Sequence, residues 1–189
     1  MKALEEKILK EGKILDGGVL KVGNFLNQRI DAAFIMEMGK EIARLYKDSN
    51  ITKIFTIESS GIAIAMAAAL EMGVPFVFAK KNKSANVGDE VYSSRVHSFT
   101  HGNTYDAVVS KEFITEEDTI LIIDDFLARG NALIGLIDMV GQSGAALAGA
   151  AIAIEKGFQG GGDELRAKGI RIESLALIDK MENGSITFR

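Results

Sequence analysis

Two adjacent carboxylates, Asp124 and Asp125, follow the aliphatic run Ile120-Leu121-Ile122-Ile123 and precede Phe126-Leu127-Ala128-Arg129-Gly130-Asn131-Ala132. Four large apolar residues in a row read as a central strand covered on both faces. The carboxylates then stand where that strand leaves the sheet, and the small-residue turn opens a helix near Gly130. Ligands of open parallel sheets bind beyond the carboxyl ends of the strands. A helix N-terminus adds unpaired N–H groups and a partial positive charge, which suit phosphate. Two carboxylates cannot hold phosphate, but they accept hydrogen bonds from sugar hydroxyls or help place a cation already bound to phosphate. A phosphorylated ribose meets both requirements. The turn is not a P-loop, since no Gly-Lys-Ser/Thr follows. It has one glycine where a dinucleotide fingerprint has three.

A second segment repeats this logic. Ile54-Phe55-Thr56-Ile57 reads as a strand and runs directly into Glu58-Ser59-Ser60-Gly61. Ser59 and Ser60 offer hydroxyls and backbone N–H groups, and Gly61 permits close approach. Alone, a serine pair in this position is as readily a helix cap. Beside a phosphate turn at a neighbouring strand end, it is a candidate for a second anion. Lys81 and Lys83, after the next strand, bring positive charge to it or are simply solvated.

The elements that must position these loops follow from patterning. Met1 to Glu11 reads as a short amphipathic helix. Asp16-Gly17-Gly18 breaks the chain before the strand candidate Val19–Val22. Asp31 caps a predicted helix reaching about Asp48, with Phe34, Ile35, Met38, Ile42 and Leu45 on one stripe. An alanine-rich helix is expected from Ile62 to Met72, stopped by Gly73 and Pro75. Further strands are expected at Phe76–Ala79, Thr119–Ile123, Ala146–Ile154 and Ile172–Ile178, with a short helix over Asp163–Lys168. Residues 81–111 form a long polar stretch, read as a lid or binding loop with room for a β-ribbon at Val91–Phe99 and Ala107–Ser110. Strand–helix alternation of this kind predicts an α/β fold with a mostly parallel central sheet flanked by helices.

Composition narrows the function classes. The 189 residues carry a net charge of −4, which disfavours a sequence-independent grip on nucleic acid. With no cysteine, disulfides and thiolate metal sites are excluded. His97 and His101 stand four apart in a polar stretch without the acidic neighbour of a zinc-protease helix, so no protein-held metal is expected there. No apolar run is long enough to span a membrane, and the N-terminus lacks a secretory pattern. The expectation is a single cytoplasmic domain over 1–189.

Four hydrophobics, two acids and a phosphate turn resemble the phosphoribosyl pyrophosphate (PRPP) motif of the type I phosphoribosyltransferases. The resemblance implies that Asp124 and Asp125 are catalytic residues facing the ribose hydroxyls. It implies that Ala128, Arg129, Gly130, Asn131 and Ala132 wrap the 5′-phosphate, and that Glu58, Ser59, Ser60, Gly61, Lys81 and Lys83 serve the pyrophosphate. Many family members carry threonines and a second glycine in the turn; here Arg129 and Asn131 would supply those donors. This variant, with Val19-Leu20-Lys21-Val22…Phe25-Leu26-Asn27 and Ile154-Glu155-Lys156…Phe158-Gln159, is similar to the xanthine-specific branch of the family. Leu20, Asn27, Lys156 and Phe158 are then implied as purine-binding residues, in a hood built from about 1–30 and 155–189, with a flexible lid at 84–110. Ammonium and amide donors suit the two carbonyls of xanthine. Hypoxanthine-guanine transferases carry an aspartate three residues after the acidic pair, where this chain has Ala128. The activity implied is transfer of the phosphoribosyl group of PRPP to xanthine. Magnesium would be carried by PRPP, with no organic cofactor, and a homodimer is expected. A guanine- or hypoxanthine-preferring enzyme and a non-catalytic PRPP-sensing regulator are the alternatives.

Overall fold

The structure is a computed structural model that describes residues 1–15, 18–82, 90–98, 103–182 and 184–189. Eight strands form one sheet in the order β10-β9-β8-β7-β3-β4-β6-β5. Five of them run parallel: β3 (Lys53–Ile57), β4 (Phe76–Lys81), β7 (Thr119–Leu127), β8 (Ala146–Lys156) and β9 (Ile172–Glu182). β5 (Val91–Ser98), β6 (Asn103–Ser110) and β10 (Ser185–Phe188) pair antiparallel at the two edges. A separate hairpin of β1 (Lys13–Leu15) and β2 (Val19–Lys21) lies near the N-terminus.

The continuous apolar strands are explained by their two covered faces. Leu121 and Ile123 of β7 join a core with Ile35, Met38 and Ile42 of α2 (Ala32–Leu45) and Ile64, Ala65 and Ala68 of α3 (Gly61–Met72). Their neighbours Ile120 and Ile122 point the other way, to Leu133, Leu136, Met139 and Val140 of α4 (Asn131–Ser143). Period-two alternation therefore distributes one aliphatic run between two cores. α1 (Lys2–Glu11) sets Leu4 and Ile8 in the first core beside Leu175 and Ile178 of β9. Asp31 caps α2 as expected, accepting from Phe34 N–H at 3.2 Å, although the helix stops at Leu45.

Several expectations change. β7 does not end before the acidic pair: its pairing with β8 continues to Leu127↔Glu155, while its pairing with β3 stops at Phe55↔Ile122. Asp124 and Asp125 thus lie inside β7, where it outruns the shorter β3 and one strand edge opens. The polar stretch before β7 is largely sheet, because β5 and β6 pair from Val91↔Ser110 to Ser98↔Asn103. β6 then continues the sheet from β4 through Lys80↔Val108. Residues 84–89 and 99–102 of the expected lid lie outside the described residues. β1 and β10 had no counterpart in the sequence reading.

Candidate active site

The first loop turns at the end of β3. Glu58 N–H still donates to Ala79 O at 3.0 Å, while the Glu58 carboxylate accepts from Lys81 N–H at 2.5 Å, tying the loop to the end of β4. The Glu58–Ser59 peptide is cis. Ser60 occupies the cap position of α3, yet its side chain makes no capping bond. Ser59 and Ser60 both line the cavity that also holds Asp124 and Asp125. Gly61 is required by crowding: a Cβ there would overlap Thr56 Oγ1 and stand 3.5 Å from Asp124 Oδ1. Thr56 is fully buried, and its hydroxyl has no hydrogen-bond partner among the described residues.

Asp124 is 6% exposed and accepts from Asp125 N–H at 2.9 Å. Burial, and then the adjacent negative Asp125, raise its carboxyl well above the ordinary aspartate value. Burial also raises Asp125, opposed by a hydrogen bond from Asn27 Nδ2 at 3.3 Å. The carboxylates are thus held in a poorly solvated place, where the Asn27 side-chain amide and the Asp125 backbone N–H donate to them. Such a site gains from hydroxyl donors brought by a ligand.

Two adjoining cavities run along this edge. One, of about 190 Å³, is lined by Ile57, Glu58, Ser59, Ser60, Lys81, Tyr105, Asp124, Asp125 and Ala132. The other, of about 170 Å³, contains Ala128, Arg129, Gly130, Asn131 and Ala132 together with Phe126, Val96, His97 and Tyr105. The two cavities share Tyr105 and Ala132, so the two loops found in the sequence open onto neighbouring cavities. Gly130, at φ +84°, turns the chain into α4, a conformation that favours glycine. Asn131 Nδ2 is directed to His97 O at 3.0 Å, which joins the turn to the β5–β6 ribbon.

Of the residues implied for purine binding, Lys156 and Asn27 meet the acidic strand, at Phe126 and Asp125. Lys156 ends β8, donates to Gly18 O at 3.0 Å and lies 5.7 Å from the Phe126 ring centroid. Burial holds its ammonium below the usual lysine value. Asn27 meets Asp125 rather than standing alone in the hood. Leu20 is buried at 6%, and Phe158 is exposed at 44%. Lys83 and His101 lie outside the described residues.

Sequence reasoning missed Tyr105 and Phe126. Tyr105 lines both cavities, with Lys81 Nζ 5.5 Å from its ring centroid, and burial followed by the nearby Asp124 raises its phenol. Only the ribbon's pairing carries it to the site. Phe126 was in view as part of the motif; the signal available was its place directly after the acids.

Comparison with known proteins gives relatives in sequence and neighbours in fold. The chain is 55% identical over 188 residues to the xanthine phosphoribosyltransferase of Bacillus mycoides strain KBAB4, covering 100% of this chain and 95% of that protein. It is 54% identical, with the same coverage, to the xanthine phosphoribosyltransferase of Bacillus cereus strain ATCC 10987. In fold it is similar to adenine phosphoribosyltransferase from Rhodothermus marinus, with a TM-score of 0.73 at 18% identity over 94% of this chain and 99% of that one. The Trypanosoma brucei adenine phosphoribosyltransferase, solved with AMP, pyrophosphate and ribose-5-phosphate, gives 0.73 at 20% identity, covering 89% of this chain and 77% of that one. Residues 22–182 match the phosphoribosyl transferase domain model, and the chain belongs to the phosphoribosyl transferase domain family.

Proposed function

We propose that this protein transfers the 5-phosphoribosyl group of PRPP to xanthine, giving xanthosine 5′-monophosphate and pyrophosphate. The observation that carries the reading is the pair of adjoining cavities that set residues 58–60 and residues 128–132 on either side of the acidic pair. Two anion loops flanking the acids suit a sugar phosphorylated at both ends. The acids supply the two acceptors that ribose hydroxyls need. The identity of over half to xanthine phosphoribosyltransferases supports the choice of base.

In this reading the turn Ala128–Ala132 binds the 5′-phosphate, and Ser59, Ser60, Gly61 and Lys81 take the pyrophosphate. Asp124 and Asp125 receive the ribose hydroxyls. A purine nitrogen attacks the anomeric carbon as the bond to pyrophosphate breaks, and the proton of the base passes to solvent. Holding both reactants aligned lowers the barrier by up to about 7–11 kcal/mol in favourable cases. Charge developing on the departing pyrophosphate meets the Lys81 ammonium and loop N–H groups. Magnesium takes one or two protein carboxylates and completes its shell with substrate phosphates, so Asp124 and Asp125 fit an ion that arrives on PRPP. That ion would neutralise the diphosphate.

On the base side, Lys156 over Phe126 forms an aromatic floor with a cationic edge. Lys156 would face the carbonyls of xanthine, with Asn27, Leu20 and Phe158 completing the hood. Ala128 provides no general base, so xanthine, an acidic purine, reacts as it ionises, and the lysine stabilises the anion. The rate with xanthine is expected to rise with ionisation of the base across neutral pH. α3 exposes Met66 at 53% and Leu70 at 70%, one turn apart, an apolar strip that supports a homodimer. No described helix is long and apolar enough to cross a membrane; a cytoplasmic location is part of the proposal.

Incubation with PRPP, magnesium and each purine base tests the reading. Xanthine should yield nucleotide and pyrophosphate fastest. Faster turnover of guanine or hypoxanthine would move the specificity, and no turnover with any base would leave a PRPP-binding regulator. Lys156→Ala should lower kcat/KM for xanthine roughly 10- to 150-fold, the loss of one hydrogen bond from a charged donor worth about 1.5–3 kcal/mol. The KM for PRPP should stay within about twofold if Lys156 acts on the base alone.

A further inference from the structure

Glu155 is fully buried at the end of β8, immediately before Lys156. Arg166, from the short helix α5 (Gly161–Ala167), grips it with both nitrogens of its fork: Nη1 to Oε1 at 2.8 Å and Nη2 to Oε2 at 2.6 Å. Ser174 Oγ of β9 donates to the same carboxylate, and Arg166 Nε donates to Ile172 O at 3.3 Å. A buried ion pair of this kind is a poor source of stability, since apolar side chains of similar size often do as well or better. What a bidentate guanidinium supplies is a fixed distance and a fixed angle between two elements.

The element so fixed is the floor of the 128–130 turn. Gly161 N–H donates to Ala128 O at 3.2 Å. A Cβ on Gly161 would come within 2.5 Å of Ala128 O and 2.8 Å of Arg129 Cα, so α5 and the turn meet backbone to backbone. A Cβ on Gly162 would come within 2.7 Å of Glu155 Cδ, which places helix and carboxylate in equally close contact. Leu165 closes the packing, its Cδ1 standing 3.3 Å from the place of a Gly130 Cβ. A chain of direct contacts thus runs from Ser174 and Glu155 through Arg166 and Gly161 to the turn.

We propose that Glu155, Arg166 and Gly161 are positioning residues that hold the 128–132 turn in its phosphate-binding shape. The inference rests on reading that turn as the 5′-phosphate site. Backbone N–H donors bind an anion only while the turn keeps them convergent, and a displacement of about 1 Å in a positioning element can reduce a rate 100-fold. Because Glu155 adjoins Lys156, the same strut sets the separation between the phosphate turn and the base side of the cleft.

Two variants of different kinds test this. Arg166→Lys keeps the charge and loses the fork; Gly161→Ala keeps the ion pair and pushes on the turn. Each is titrated with ribose 5-phosphate and, separately, with inorganic pyrophosphate, alongside a melting curve. Ribose 5-phosphate affinity should fall at least about tenfold in both, with pyrophosphate affinity within about twofold of the parent. Steady-state assays should show a raised KM for PRPP with the KM for the purine little changed. Unchanged ribose 5-phosphate affinity in the folded variants would overturn the proposal, as would equal loss of both ligands. Failure of both variants to fold would also count against it, assigning the strut to the core rather than the turn. A parent protein that binds no ribose 5-phosphate overturns the reading of the turn itself, a result distinguishable from either.

Discussion

Asp125→Asn should lower kcat/KM for PRPP by roughly 30- to 150-fold with every purine tested, because two charge-assisted hydrogen bonds to ribose hydroxyls become neutral ones, a loss of about 2–3 kcal/mol. The substitution preserves size and leaves one acceptor oxygen, so it removes charge more than contact. Uniformity across bases is the informative part: the KM for xanthine should move little, opposite to Lys156→Ala. If the two substitutions impaired donor and base alike, the division of the cleft into a sugar side and a base side would be wrong.

The acidic pair should also limit the stability of the free protein. Burial and mutual repulsion raise the folded-state value of Asp124, and burial raises that of Asp125. An acid whose folded value is raised adds stability below its unfolded value and loses it as pH climbs through the folded one. Asp124→Asn, neutral at all pH, should therefore melt higher than the parent at neutral pH. Its advantage should vanish in acid, where the parent carboxyl is protonated in both states. Each kcal/mol relieved is worth roughly 2–4 °C in a chain of this size. A variant more stable but less active at neutral pH is the expected pairing; a lower melting temperature there would show Asp124 to be a structural group.

Gly61→Ala should have the other large effect. Its Cβ would collide with the Thr56 hydroxyl beneath it and approach Ile123 O to 3.4 Å. Thr56 is β-branched, stiff at χ1 and embedded in β3 between two neighbouring strands, so it cannot swing aside. The strain falls on the 58–61 loop, which should lift from the acidic pair. Overpacking of this kind costs about 1–3 kcal/mol. The KM for PRPP should rise by more than about tenfold, since the loop N–H groups would no longer converge on the diphosphate. Thr56→Ala in the same chain should restore most of the loss, and it breaks no hydrogen bond described for that hydroxyl. An unaltered melting temperature and KM for Gly61→Ala would mean that the contact is looser than the structure has it. Failure of the double variant to recover would place the strain elsewhere.

The parallel strands and their helices were legible because a strand covered on both faces must be apolar along its whole length, as in Ile120–Ile123, and because Asp31 and Gly73 punctuate local backbone. The short edge strands β1 and β10 were not, since three or four residues of mixed character carry no period of their own. Their pairing is decided by partners far along the chain or across a turn. The β5–β6 ribbon was only half visible for a similar reason, its polar residues being tolerated on an edge that faces solvent.

Within the site, the residue types of both loops and the acidic pair were determined by the sequence alone, because phosphate and sugar recognition depend on local turn chemistry spelled out in consecutive residues. Tertiary structure decided what those loops share: that β7 outruns β3 and opens an edge at Asp124, that Tyr105 arrives from the ribbon, that Asn27 reaches Asp125, and that Arg166 and Gly161 support the phosphate turn. Each of these is a contact between residues more than ten positions apart, set by strand register and by how closely two backbones approach. No local pattern encodes such distances; they exist only once the sheet and its covering helices have closed around a common core.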